Sequence, residues 1–284
     1  MADFTYEAAV HWLRSQPEHR QLLKDSYLDD DNLAAARRFA RSEEFGEVSE
    51  LLSLGVTQRP LKILDVSCGN GIAAYAFASL GNQVAAVDPD ESADVGIKAA
   101  ARLASALSRG SLSVYEAAAE DLPFVDSSFD IVYARQALHH FGDLQKGVAE
   151  CARVLKPGGV LFATREHVVE NDGQLRQFLA EHPLHRLHGG ENAYSEQHYK
   201  SMFQRNGLRI SKSFATFETI INHFPSSNEQ VRGEILKAVF PKYGWSVWSR
   251  LLKFPSLENL CRRWYSKLNK FPGMLFSFLC VKQD

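Results

Sequence analysis

The chain has 284 residues, 45% hydrophobic and 23% charged, with a formal net charge of −2, a balance that suits a globular protein of one large or two small domains. It offers no basic footprint for a nucleic acid, and the four cysteines, Cys68, Cys151, Cys261 and Cys280, form neither a CxxC zinc pattern nor a disulfide framework. The opening residues hold no uninterrupted apolar run and "MLFSFLCV" is only strand length, so neither a signal peptide nor a membrane span is expected and the location is read as cytoplasmic.

Residues 1–57 are expected to form an N-terminal helical cap. "DFTYEAAVHWLRSQ" places Phe4, Ala8, Trp12 and Leu13 on one helical face. "DDDNLAAARRFARSEEFGEVSELLSLG" reads as one further helix, with an acidic entry and Gly55 as its C-cap. Tyr27, Arg38, Phe39, Glu43 and Phe45 fall in this region, as a packed amphipathic face or a cover over a ligand. From residue 58 the pattern changes. "LKILDV", "QVAAVD", "LSVYEA", "FDIVYAR" and "VLFATRE" predict five strands. Between them lie the helical stretches "GIAAYAFASLG", "PDESADVGIKAAARLASALSRG" and "DLQKGVAECARVLKPGG", the last closed by Pro157. Strands alternating with helices at this spacing mean a parallel sheet covered on both faces.

Beyond residue 166 the alternation breaks. Residues 167–193 look like an insertion rich in His, Gly and Asn, and "SEQHYKSMFQRNGL" resumes as a helix with Ser195 as N-cap. "RISKSFATFETI" predicts a sixth strand and "MLFSFLCVK" a last one. Residues 225–272 hold helical pieces with Trp245, Trp248, Trp264 and Tyr265, interrupted by prolines. The expected fold is α/β, a Rossmann-like doubly wound sheet of seven strands, mostly parallel with an antiparallel last strand. Residues 58–284 form its main domain, with lid insertions at about 167–193 and 225–272.

The chemistry begins at "ILDVSCGNG" (63–71). In an open α/β sheet a ligand sits beyond the carboxyl ends of the strands, where this loop falls. A dinucleotide's pyrophosphate would be repelled by a carboxylate at Asp65. S-adenosylmethionine (SAM) carries no phosphate, but a sulfonium and an ammonium group, and suits that acid. Gly69 and Gly71 let backbone approach a nucleoside without a β-carbon. Asp88, at the end of the second strand, can accept ribose hydroxyls, as it would in an NAD protein too.

"ILDVSCGNG", "VDPD", "AAEDLPFVDSSFDIVYARQALHHF" and "ARVLKPGGVLFATRE" occur in the order of the motifs of class I SAM-dependent methyltransferases. Residues 60–166 resemble in particular the small-molecule group typified by ubiquinone and menaquinone methyltransferases. The resemblance implies that Asp65, Ser67, Gly69 and Gly71 hold the methionine end of SAM. It implies that Asp88 takes the ribose and Pro89 lies beneath the adenine. It places the backbone of Ala119 and Glu120 at the adenine edge, and Arg135 and Gln136 along the cofactor and the methyl-transfer site. Two positions depart from the family pattern. Ser67 stands where glycine is usual, and Ala118 stands where Asp or Asn is usual, with Asp121 a nearby substitute.

The function expected is methyl transfer from SAM to a small-molecule acceptor with an O, N or C nucleophile, by in-line displacement in a lidded pocket. Base candidates are His139, His140, Glu166, His167 and His188. Arg165 and Glu166 either pair with each other or leave Glu166 facing substrate. His182, His185, His188 and His198 crowd beside Glu191 and Asn192. Their intervals of three do not match the i, i+4 pair of HExxH sites, so no metal is expected. Neither a nucleic-acid nor a membrane partner is expected; the aromatic and basic stretch at 243–267 is taken as a lid rather than a membrane surface. The alternatives are a SAM-binding module without catalysis and an NAD-type oxidoreductase.

Overall fold

The structure is a computed structural model that describes residues 4–54, 56, 59–239 and 254–283. Its frame is a seven-stranded sheet in the order β3-β2-β1-β4-β5-β7-β6. The strands are β1 (Lys62–Val66), β2 (Gln83–Asp88), β3 (Ser111–Glu116), β4 (Phe129–Arg135), β5 (Leu155–Val168), β6 (Leu208–Phe214) and β7 (Met274–Lys282). Neighbouring strands from β3 to β5 pair in parallel, and β7 runs antiparallel to both β5 and β6. The chain order reverses between β1 and β4, which makes their carboxyl ends the switch point where a ligand can sit.

Period-two alternation, with both faces apolar, buries the central strands on both sides. Leu64, Val66, Val132, Ala134 and Leu161 face α7 (Leu144–Val154) and α10 (Glu196–Arg205). Ile63, Ile131, Tyr133 and Phe162 face α3 (Asn32–Ala40), α4 (Glu43–Leu51) and α5 (Ile72–Ser79). Helix α5 is buried from Ile72 to Ala78 because four alanines let the sheet and the cap helices close on it from both sides. An aromatic row, Tyr27–Phe39–Phe45–Phe77–Tyr133, with centroid spacings of 4.9–5.4 Å, joins the cap to the sheet. The amphipathic stripe of the cap is therefore a packed face.

Several expected boundaries move. The long second helix is two helices, α3 and α4, because the Ser42 side chain caps a new start by accepting the Phe45 N–H at 3.1 Å. In α1 (Tyr6–Ser15) the inward face is Ala9, Val10 and Leu13, while Trp12 is exposed against His19. A further short helix, α2 (Arg20–Asp25), follows it. The stretch after β2 is loop up to α6 (Ile97–Leu103). Helix α7 stops at Val154, so Pro157 falls inside the long strand β5, which runs on through His167 and Val168. The histidine-rich insertion contains two helices, α8 (Asp172–Glu181) and α9 (Pro183–Leu187). Strand β6 ends at Phe214, and α11 (Ile220–His223), α12 (Asn228–Val239) and α13 (Pro255–Leu268) precede β7. Gly55, Pro241, Trp245 and Trp248 lie outside the described residues.

Candidate active site

A cavity of about 640 Å³ opens at the carboxyl ends of β1, β2, β4 and β5. At each of three of these ends the backbone takes a left-handed turn at a residue other than glycine: Ser67 (φ 51°), Gln136 (φ 51°) and Arg165 (φ 59°). Such conformations cost about 1–3 kcal/mol each and cluster where function holds them. Ser67 takes the conformation that the glycine usual at its place adopts freely. Asp65, Ser67, Gly69, Asp88, Pro89, Ala119, Glu120, Arg135, Gln136, His139, His140, His167 and His188 all line the cavity. Gly71 and Glu166 do not.

Gly71 instead starts α5 at φ 78°, and a β-carbon there would lie 2.5 Å from that of Ala100. Its lack of a side chain serves the contact between α5 and α6, not the approach of a ligand. Gly69 lines the cavity, and its N–H donates to Asp88 at 2.8 Å. The other Asp88 oxygen accepts the Asp90 N–H at 2.9 Å. Each oxygen keeps a lone pair for a further donor. The loop thus already binds an anion of its own chain, which leaves it poorly suited to a pyrophosphate.

Asp65 is buried, and its Oδ2 has no hydrogen-bond partner among the described residues. Burial pushes its carboxyl up to about 7, with the Ala74 N–H and Arg135 pulling the other way. An orphan acid oxygen beside the cavity calls for a positive ligand group. Arg135 is engaged elsewhere: its Nε and Nη2 donate to the fully buried Glu44 of α4 at 2.7 and 3.1 Å, and it lies over the rings of Tyr27 and Phe39. That bidentate pair ties the cap to the end of β4. Glu120 accepts the Asp143 N–H at 3.0 Å, ahead of α7. Asp121 is exposed and outside the cavity lining, so it does not take over from Ala118.

The other end of the cavity is built from β5 and the insertion. Arg165 and Glu166 do not pair. A register shift in the β5–β7 ladder between Ala163 and Glu166 separates them. Arg165 donates to the carbonyls of Ile221 and Phe224 at 2.7 and 3.1 Å. Glu166 turns inward, fully buried, and accepts the N–H groups of Ala137, Leu138 and His139 at 3.1, 3.2 and 3.3 Å. Its Oε2 lies 2.7 Å from His139 Nδ1. Three backbone donors converging on one carboxylate mark it as an acceptor, so His139 donates through Nδ1 and keeps its lone pair on Nε2. Burial lowers His139 to about 3 and His140 to about 4, so both imidazoles are neutral at physiological pH.

The cavity is covered by α1 and α9. His188 is exposed at the rim, and its Nδ1–H donates to the Phe4 carbonyl at 2.7 Å, with the Tyr6 ring 5.9 Å away. Tyr6 lines the cavity, and its hydroxyl is raised by burial and by the nearby acids Glu191 and Asp88. The sequence offered no sign of Tyr6, because only the tertiary fold brings the first helix over the sheet edge. Of the crowded histidines, His182 and His188 line the cavity, and His198 is exposed on α10, stacked on Tyr194.

Residues 64–163 match the family described as "Methyltransferase domain". The chain is 33% identical over 174 residues to YcgJ of Bacillus subtilis strain 168, named an uncharacterized methyltransferase, across 60% of this chain and 64% of that one. It is 28% identical over 161 residues to a ubiquinone biosynthesis O-methyltransferase of Rhizobium etli, across 55% of this chain and 63% of the relative. The chain thus spans less than two thirds of the length of either relative. The crystal structure of YcgJ shares the fold, with a TM-score of 0.53 at 21% identity over 84% of this chain and 99% of that one. The match ends on β5 before Glu166 and His167, so His139 and His140 lie within it and Glu166, His167, His188 and Glu191 beyond it.

Proposed function

We propose that the protein transfers a methyl group from SAM to a small-molecule acceptor held at the histidine end of the cavity. The observation that supports this most is Asp65, a buried acid at the mouth of the glycine loop with one oxygen that finds no partner among the described residues. In this reading Asp65 meets the ammonium of the methionine end, the spare lone pairs of Asp88 accept the ribose hydroxyls, and Pro89 and Ala119 flank the adenine. When bound, SAM supplies an electrophilic methyl on its sulfonium.

The leaving thioether is neutral, so the site needs no acid for the leaving group. What it needs is alignment, exclusion of water and, for a protonated nucleophile, a proton acceptor. The lid of α1 and α9, clasped by His188 and Phe4, excludes water. His139 and His167 line the cavity and are the bases favoured by geometry. Glu166 is a positioning residue that sets the tautomer of His139. Cytoplasmic location is part of the same proposal; no described helix is long and apolar enough to cross a membrane.

The test is turnover. Purified protein is incubated with methyl-labelled SAM and a panel of phenols, alcohols, amines and carbon acids, and the label is followed into product. Label transfer with release of S-adenosylhomocysteine is the expected result. No transfer to any acceptor, with S-adenosylhomocysteine binding intact, would turn the reading into a binding module without catalysis.

A further inference from the structure

Three donor groups outside the glycine loop converge from distant parts of the chain. His139 comes from the turn after β4, His167 from the end of β5, and Glu191 from the segment after α9. One ligand atom from each lies within 4.8 Å of the others. Glu191 is 8% exposed, and its Oε2 is buried with no hydrogen-bond partner among the described residues, 3.6 Å from His139 Nε2.

Tautomers decide what these atoms can do. His167 Nδ1 lies 2.9 Å from the Gly273 carbonyl, which can only accept, so Nδ1 carries the proton and Nε2 the lone pair. His139 is held in the same tautomer by Glu166. With Glu191 ionised, two imidazole lone pairs and a carboxylate oxygen meet with no donor among them. Left alone, this arrangement is repulsive, and a cation among the three atoms turns it attractive. The outer contacts also have the form that metal-binding histidines use, one ring N–H given to a carboxylate or a carbonyl while the other nitrogen binds the ion.

We infer that His139, His167 and Glu191 bind a first-row divalent transition metal ion at the acceptor end of the cavity. Two imidazoles and one carboxylate favour zinc, iron, cobalt or manganese over magnesium or calcium, which prefer all-oxygen sites. Binding draws the three atoms in to roughly 3–3.5 Å from one another, as bonds of about 2.0–2.2 Å require. His182, whose Nδ1 is 3.7 Å from Glu191 Oε1, and His140, whose Nε2 is 3.9 Å from Glu191 Oε2, stand next to the site. The ion's open positions face the cavity. There an acceptor with an ionisable hydroxyl or a pair of oxygens would bind; in the metal-loaded protein His139 and His167 are ligands and no longer bases, and the ion itself lowers the acceptor's hold on its proton, so this inference rests on the proposed methyl transfer for its purpose but not for its existence.

The experiment uses the full chain, stripped with a chelator and returned to chelator-free buffer, and titrated with cobalt(II) and with zinc(II). Visible absorption and calorimetry should give one equivalent. Glu191→Gln and His167→Gln should each weaken binding about a hundredfold or more. Glu166→Gln is the decisive variant. It touches no metal but offers its amide N–H to His139 Nδ1, moving the ring proton to Nε2, and should weaken binding roughly 10–100-fold. S-adenosylhomocysteine affinity, measured on the same samples, reports that each variant is folded and should change by less than about threefold. No metal binding, or binding that these variants leave unchanged, overturns the site. Metal binding without S-adenosylhomocysteine binding would leave the metal site standing and overturn the cofactor reading instead.

Discussion

The two ends of the cavity are made in different ways. The end proposed for the cofactor is largely local: Asp65, Ser67, Gly69 and Asp88 all sit at or just after the carboxyl ends of β1 and β2, adjacent parallel strands whose register sets their spacing. The end proposed for the acceptor gathers His139, His167 and Glu191, separated by 28 and 24 residues, through β5 and an insertion beyond the matched residues 64–163. A strand-and-turn unit can be reused whole, so its chemistry stays the same. An end assembled by tertiary packing can be rebuilt to suit each substrate.

Four perturbations separate the two ends. The largest effect is expected from Arg135→Met, which leaves Glu44 buried and unpaired. It should cost about 3–5 kcal/mol in urea unfolding, and the double variant Arg135→Met/Glu44→Leu should recover most of that loss. Equal loss in the single and double variants would mean that the pair is not what ties the cap to β4.

Asp88→Ala comes next. It removes the acceptor for the Gly69 and Asp90 N–H groups as well as the proposed ribose contact, and should weaken S-adenosylhomocysteine binding ~100-fold. Metal affinity should be unchanged, and a parallel loss would show that the ends are not independent.

The pH dependence of Asp65 is smaller. Its folded-state carboxyl stands near 7, against 3.8 as its ordinary value. The folded state therefore holds more protons between about pH 4 and 7, and the acid's contribution to stability falls as pH rises through that window. Asp65→Asn should gain on the wild type by about 2–3 kcal/mol from pH 4.5 to 7, then level off. The buried histidines, with lowered values, contribute the opposite slope in both proteins and cancel in the difference. Urea midpoints at pH 4.5, 6 and 8 check this; a constant difference would mean that Asp65 is not displaced.

The smallest effect should come from His188→Ala, which removes the clasp to Phe4. Turnover should fall about threefold to tenfold with S-adenosylhomocysteine affinity unchanged. Unaltered kinetics would remove His188 from the site.

Legibility in the sequence followed the same division. The strand set and the switch-point loop were readable, because each strand announces itself by an apolar run and each turn by its glycines. Asp65 and Asp88 could be singled out by charge alone. Gly71 could not be told from Gly69, since the difference is the position of Ala100 on another helix. The role of Glu166 was hidden by the bulge at Arg165, which no composition rule flags in a strand of β-formers. The histidine crowd at 182–198 drew attention to itself, yet the histidines that gather with Glu191 within 4.8 Å are His139 and His167, outside that crowd. A ligand set with intervals of 28 and 24 residues has no sequence motif; it exists only once β5 passes beside the turn after β4.

The most direct test of the whole account is calorimetric titration of the purified chain with SAM, S-adenosylhomocysteine and NAD, with and without Asp88→Ala. The account predicts one equivalent of each of the first two, bound at micromolar levels, with no heat from NAD and loss of binding in the variant. Binding of NAD, or of none of the three, would contradict the role given to Asp65 and with it the assignment of the cavity.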